Sequence, residues 1–303
     1  MIRRVRFMAR SIVRLADPGA GPPVHPRPTS FRIATLTGLA LLAFAGNSLL
    51  CRQALGPLRM DPADFTAIRL VSGALLLLAL ARGRAWPAGH WRGALALLAY
   101  AALFSWAYVR LGAATGALLL FGAVQASMIG AGLARGERLG RRQWAGVALA
   151  FAGLAWLLAP GLQAPPWRGA LPMLGAGVAW GLYSLLGRRG GDALAATAGH
   201  FLRAAPLAML LAWLARTGGA PPPLGVLCAL ASGALASGLG YAVWYTALPH
   251  LRPSAAATVQ LAVPVIAALG GLLWLGEAPS LRLLMAGAAV LAGIGLVLHR
   301  RMA

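Results

Sequence analysis

The polar residues that could do chemistry in this chain are set singly into long apolar runs. Arg69 and Arg203 each lie a turn or two inside such a run. A guanidinium at that depth either attracts an anionic group or reaches back along its stem to the nearer aqueous face. Gln260 stands four residues before Pro264. The proline lacks the amide that would bond the Gln260 carbonyl, so a freed backbone acceptor and a side-chain amide meet in one place. Gln125 is a second amide inside an apolar run. Helical spacing of i, i+3, i+4 gathers Phe44, Asn47 and Ser48 on one face, and Trp180, Tyr183 and Ser184 on another. Tyr100, Phe104 and Tyr108 form an aromatic stripe, as do Ser237, Tyr241, Trp244 and Tyr245. Amides, hydroxyls and a guanidinium among aromatic rings are equipment for binding a small polar solute. The same stripes also serve helix packing or an interfacial belt.

Bond-making chemistry finds little to stand on. Asp64, Glu137 and Glu277 fall at the ends of apolar runs, and Asp17, Asp61 and Asp192 in the tail or loops, so no buried acid offers a proton relay. Glu137 and Glu277 read as interfacial caps or partners for Arg142 and Arg282. His90, His200 and His250 are near segment ends, His25 and His299 are near the termini, and no nucleophile and base stand together. Cys51 and Cys228 have no CxxC or Cys/His spacing. Neither a disulfide, a metal site nor a cofactor is expected, and the chain does not read as an enzyme.

The elements that must position these residues are membrane helices. Hydrophobic residues make up 59% of the chain and charged ones 11%, too few to cover a soluble protein of this length. Ten apolar segments are expected, at about 31–51, 65–82, 92–110, 112–134, 142–159, 169–187, 197–215, 224–248, 254–276 and 281–299. Glycine and proline punctuate the breaks, including Gly56–Pro57, Pro87, Pro160–Pro166 and Gly218–Pro223. The first segment begins only after residue 31 and lacks a small-residue cleavage site, so it is expected to stay as a membrane helix. Ahead of it, residues 1–30 form a basic tail and a Pro/Gly linker. Its arginines suit either an interfacial helix or an orienting cytoplasmic tail.

The net charge of +21 would point to nucleic acid in a soluble chain; here the arginines sit between apolar runs, where they orient helices. With the N-terminus inside, nineteen arginines fall on the cytoplasmic side and six outside. That asymmetry supports ten spans with both termini cytoplasmic.

The chain also repeats itself. A shift of 140 sets Glu137 on Glu277, Arg142 on Arg282 and Gly153 on Gly293; a shift of 136 sets Ser48 on Ser184, and one of 134 sets Arg69 on Arg203. Two units, 31–160 and 161–303, follow. Five helices per unit is an odd number, so the second enters the membrane the other way up. The loop holding Arg135, Arg138, Arg141 and Arg142 accordingly corresponds to one holding Arg282 alone. Inverted repeats of this kind suit a carrier that opens a central site alternately to each side.

The stretches AIRL at 67–70, GERLGRRQWAGVALAFAGLAWLL at 136–158 and AVPVIAALGGLLWLGE at 262–277 resemble EamA-type permeases of the drug/metabolite transporter superfamily. Val124 stands where the second unit has Pro264, a departure from the pattern. The resemblance implies a ten-helix carrier of small metabolites with a cavity between its halves. The sequence therefore reads as an all-α polytopic protein of a bacterial cytoplasmic membrane, moving an amino acid or related zwitterion by alternating access. An exporter of hydrophobic cations is the rival within the class, and a membrane scaffold or intramembrane enzyme the rival outside it. Its partners are then a small-molecule substrate and lipid, without nucleic acid. The expected site comprises Asn47, Ser48, Arg69, Tyr108, Gln125, Tyr183, Ser184, Arg203, Tyr241, Trp244 and Gln260, with Gln260, Gln125, Asn47 and Tyr241 bordering one pocket.

Overall fold

The computed structural model describes residues 30–82, 88–134, 136, 138–161, 164–187, 192–215, 217, 219–251, 259–260 and 262–298. The basic tail, Glu137, Arg188, Arg189 and the C-terminal arginines lie outside these residues. Among the described residues the chain is helical throughout: α1 Ser30–Leu55, α2 Pro62–Ala81, α3 Trp91–Tyr108, α4 Ala113–Ala134, α5 Arg141–Leu158, α6 Trp167–Gly187, α7 Ala193–Ala215, α8 Pro223–Ala247, α9 Ala262–Leu275 and α10 Leu281–Leu298. Short polar breaks separate them, as the glycine and proline punctuation requires. Asp61 caps α2, its Oδ1 accepting from the amides of Ala63 at 2.8 Å and Asp64 at 3.4 Å, and Pro62 supplies a first helical residue that needs no donor. The ring of His90 does the same for α3, accepting from the Gly93 amide at 2.9 Å.

Six of these helices, α1, α2, α4, α6, α7 and α8, are long and apolar enough to cross a membrane; α9 and α10 are shorter apolar helices over their described residues. Their outer faces suit lipid. Leu273, Trp213, Leu281 and Leu75 are among the most exposed large side chains, a pattern water would penalise and hydrocarbon does not.

The packing follows the repeat. Helix α5 lies along α10 and α2 along α7, each helix against its own counterpart. Helix α6 packs on α3 and α4, and correspondingly α1 packs on α8 and α9. Along the α5–α10 seam Gly146 approaches Gly293 while Gly153 approaches Ala286, so the two counterparts run antiparallel. Glycine is required at Gly146, where a Cβ would overlap the Gly293 carbonyl oxygen. Small residues let the backbones close in the absence of a hydrophobic drive between helices in lipid.

One element departs from the expected pattern. Helix α8 is α-helical over Pro223–Ala231 and Gly240–Ala247, but Ser232–Leu239 is wound as a π-helix, with the Gly240 amide bonding the Leu235 carbonyl five residues back. This stretch crosses α2 at Arg69. A Cβ on Gly233 would overlap the Arg69 carbonyl oxygen and the Ser72 hydroxyl.

Candidate substrate cavity

Where α1, α3, α4, α6 and α8 converge, a cavity opens, lined by Phe44, Asn47, Ser48, Tyr100, Phe104, Leu120, Phe121, Trp180 and Tyr241. Both halves contribute. The free volume is about 20 Å³, room for one water-sized molecule. The walls are aromatic: the Phe44 ring meets Trp180 at 6.2 Å, Tyr241 at 5.9 Å and Trp244 at 5.8 Å, all edge-on, and Trp180 lies 4.9 Å from both Tyr100 and Tyr241.

A polar chain runs along one side of this cavity. The Ser232 hydroxyl donates to Asn47 Oδ1 at 2.6 Å, Asn47 Nδ2 donates to the Tyr100 hydroxyl at 3.3 Å, and Arg69 Nη2 donates to that hydroxyl at 3.2 Å. Arg69 Nε donates to the Ser237 hydroxyl at 3.2 Å. The guanidinium carbon sits 5.1 Å from the Tyr100 ring centre and 5.2 Å from that of Phe104, within cation–π range of both. Arg69 is 1% exposed. Of the two roles its sequence position allows, this enclosure disfavours an anchor reaching to the interface, because neighbours surround the whole stem and head. Its Nη1 and the Tyr241 hydroxyl are buried without a hydrogen-bond partner.

The π-helical stretch explains how α8 contributes two serines to one network. At about 100° per residue, positions five apart in an α-helix diverge by roughly 140°. Bonds running i→i+5 bring them nearly back to one face. Ser232 thus reaches Asn47 while Ser237 reaches Arg69.

Other expected site residues are placed elsewhere. Arg203, the repeat counterpart of Arg69, donates from Nη1 to the carbonyls of Ala88 at 3.1 Å and Gly199 at 2.9 Å, closing a loop and a helical turn. Gln125 borders a separate cavity with Gly122, Ala126, Phe151, Leu154 and Ile294, so the expected single pocket joining it to Asn47 is not formed. Its position on α4 faces α5 and α10 rather than α1. Gln260 is half-buried just ahead of α9 and is not among the residues lining either cavity. Tyr108 turns its hydroxyl to the Ala113 carbonyl at 3.3 Å, tying α3 to α4. Tyr183 lies one ring beyond Trp180, its hydroxyl 3.2 Å from His200 Nδ1; Trp244 backs Phe44, and Ser184 is half-buried on α6 outside the lining.

Glu277 also has a different partner from the one expected. Its Oε1 accepts from Arg52 Nε at 2.6 Å and its Oε2 from the Ala113 amide at 2.7 Å, while Arg52 Nη1 donates to the Tyr108 carbonyl at 3.1 Å. Arg282 instead donates to the carbonyls of Trp156 and Ala159. One ion pair thus gathers the ends of α1, α3 and α9 and the start of α4.

Tyr100 was legible only as one member of an aromatic stripe, and Ser232 carried no sequence signal, because a regular α-helix would aim it away from Ser237.

The model of the EamA-like transporter family matches this chain twice, over residues 32–159 and 167–299. The chain belongs to the EamA-like transporter family. It is 58% identical to an uncharacterised protein of Pseudomonas aeruginosa over 279 residues, covering 89% of this chain and 96% of that one. It is 30% identical over 213 residues to a probable terminal-alkyne amino-acid exporter of Streptantibioticus cattleyicolor, covering 69% and 71%. A solved crystal structure shares the fold with a TM-score of 0.65 at 22% identity, over 90% of this chain and all of the other. This EamA-like transporter is accordingly a multi-pass membrane protein that acts on a small molecule, and membership points to transport rather than catalysis.

Proposed function

We propose that this transporter is a secondary carrier exporting a small amino-acid-like metabolite across a bacterial cytoplasmic membrane by alternating access. The observation that carries the reading is a buried, aromatic-walled cavity with one polar side, formed by helices of both halves, with a guanidinium beside it that has an unused donor. Residues 31–160 and 161–303 act as the two units, each of five spans, with both termini cytoplasmic. The antiparallel run of α5 along α10 supports inverted units, since counterparts in a parallel duplication would point the same way. At about 20 Å³ the cavity is too small for a metabolite, so the helices around it must part to admit one.

The amino-acid reading draws on the Streptantibioticus relative and on the site itself. Export of hydrophobic cations is poorly served, because the described acids, Asp61, Asp64, Asp192 and Glu277, all sit in loops or at helix ends. The test is flux of a panel of labelled amino acids, neutral solutes and cations into and out of vesicles containing the purified protein. Counterflow of at least one small polar solute above protein-free vesicles is expected. The absence of flux for every member would refute the reading.

A further inference from the structure

Resting on that reading, we infer that the cavity recognises its substrate through a carboxylate held by Arg69, and that the substrate's amino group is dispensable. The substrate class is a small carboxylate bearing an apolar or aromatic group, zwitterionic or simply anionic.

An ionised group withdrawn from water costs several kcal/mol unless a counter-charge or hydrogen bonds replace hydration. Arg69 is buried on α2, and among the described residues no carboxylate pairs with it; the ion pair there is Arg52 with Glu277, at the helix ends. A guanidinium carries five N–H donors. Two are used, on the hydroxyls of Tyr100 and Ser237, and Nη1 has no partner. The two rings beneath the guanidinium offset part of its desolvation.

The groups around Arg69 decide what complements it. The Asn47 carbonyl oxygen is taken by Ser232, and the Tyr100 oxygen already accepts from both Asn47 and Arg69. The donor left over is charged, Arg69 Nη1, and the Tyr241 hydroxyl beside it can donate as well. A donor-rich, cationic corner fits a carboxylate, which only accepts. Among the described residues no carboxylate stands at this corner to pair with an ammonium, and the hydroxyl oxygens offer it only uncharged acceptors beside a like charge. The rings of Phe44, Trp180 and Tyr241 then face the substrate's apolar part.

Binding to the purified full-length protein by calorimetry, together with counterflow in vesicles, tests this with four probes that share one side chain: phenylalanine, 3-phenylpropionate, phenylalaninamide and phenethylamine. A parallel valine series covers a smaller side chain. The two carboxylates of a series should bind within about threefold of each other, and the amide and amine about ten- to a hundredfold more weakly, the range expected for a lost charge-assisted hydrogen bond. Arg69→Gln should remove that preference, and Arg69→Lys should restore part of it, keeping the charge without the planar fork. The wild-type comparison stands even if a variant fails to fold. Equal binding of the amide or amine, loss of 3-phenylpropionate where phenylalanine binds, or flux of other solutes with no carboxylate bound would each overturn the inference while leaving a transporter. Absence of flux for any solute overturns the transporter reading and the inference together.

Discussion

Replacing Glu277 by glutamine perturbs the junction of four helix ends with little change of shape. In the wild type the carboxylate takes Arg52 Nε at 2.6 Å on one oxygen and the α4 amide of Ala113 at 2.7 Å on the other. The two side chains are 22% and 25% exposed, so the pair is neither a surface bridge nor a dry one. Unit charges about 4 Å apart at an effective dielectric of about 20 attract by about 4 kcal/mol. Desolvation and side-chain ordering reduce this to a net coupling of about 1–3 kcal/mol. The negative charge at the α4 N-terminus adds about 0.3–1 kcal/mol through the helix dipole. Glutamine can keep the bond to Ala113 but sets an amide or a neutral oxygen against Arg52, so the variant loses most of the coupling. A double-mutant cycle with Arg52→Gln, read by equilibrium unfolding in detergent, isolates the pair. Cys51, buried on α1 beside Arg52, offers a second readout, since loosening the junction should speed its alkylation in a Cys228→Ala background. A coupling below about 0.5 kcal/mol with unchanged Cys51 alkylation would refute the view that this pair holds the four ends together.

Gly233→Ala should destabilise by about 1–3 kcal/mol, because its methyl would strike the Arg69 carbonyl and the Ser72 hydroxyl where α8 crosses α2. Gly38→Ala on α1, where a Cβ meets open space, should instead raise stability by up to about 1 kcal/mol, and a same-signed pair of melting shifts would count against the crossing. Burial raises the pKa of Asp61, but its bonds to Thr217, Ala63 and Asp64 outweigh this and hold the carboxyl below its ordinary 3.8. The resulting stabilisation is complete above the unfolded pKa and is lost as the pH falls through the lower folded value, so Asp61→Asn should flatten the acid limb of a stability–pH profile below about pH 4. An acid limb unchanged in the variant would place the titration elsewhere.

Which parts were legible depends on the range of the forces involved. Helix existence follows from runs of apolar residues and from breakers such as Gly56–Pro57 and Pro223, and these read correctly because a breaker acts within a turn or two of chain. The partner of Glu277 did not read correctly. Arg282 is near in sequence, but Arg52, 225 residues away, is the residue delivered to it when α1 packs along α9. Polarity and depth alone place Gln125 at the Asn47 cavity, yet the rotation of α4 turns it toward α5 and α10.

Composition and the lengths of the apolar runs determined that the chain is helical and membrane-embedded, because insertion into hydrocarbon tests each segment's apolarity separately, and residue matches at fixed shifts showed the repeat. Those matches also singled out Arg69 and Arg203 as equivalent positions. Only the tertiary structure made them different. Arg69 meets the π-helical stretch of α8 and two aromatic rings, which seal it from water beside a cavity, whereas Arg203 finds backbone carbonyls within reach and closes a loop. A repeat duplicates residue types, but what an arginine does is set by the neighbours that packing brings from distant helices, and those neighbours are not the same in the two halves.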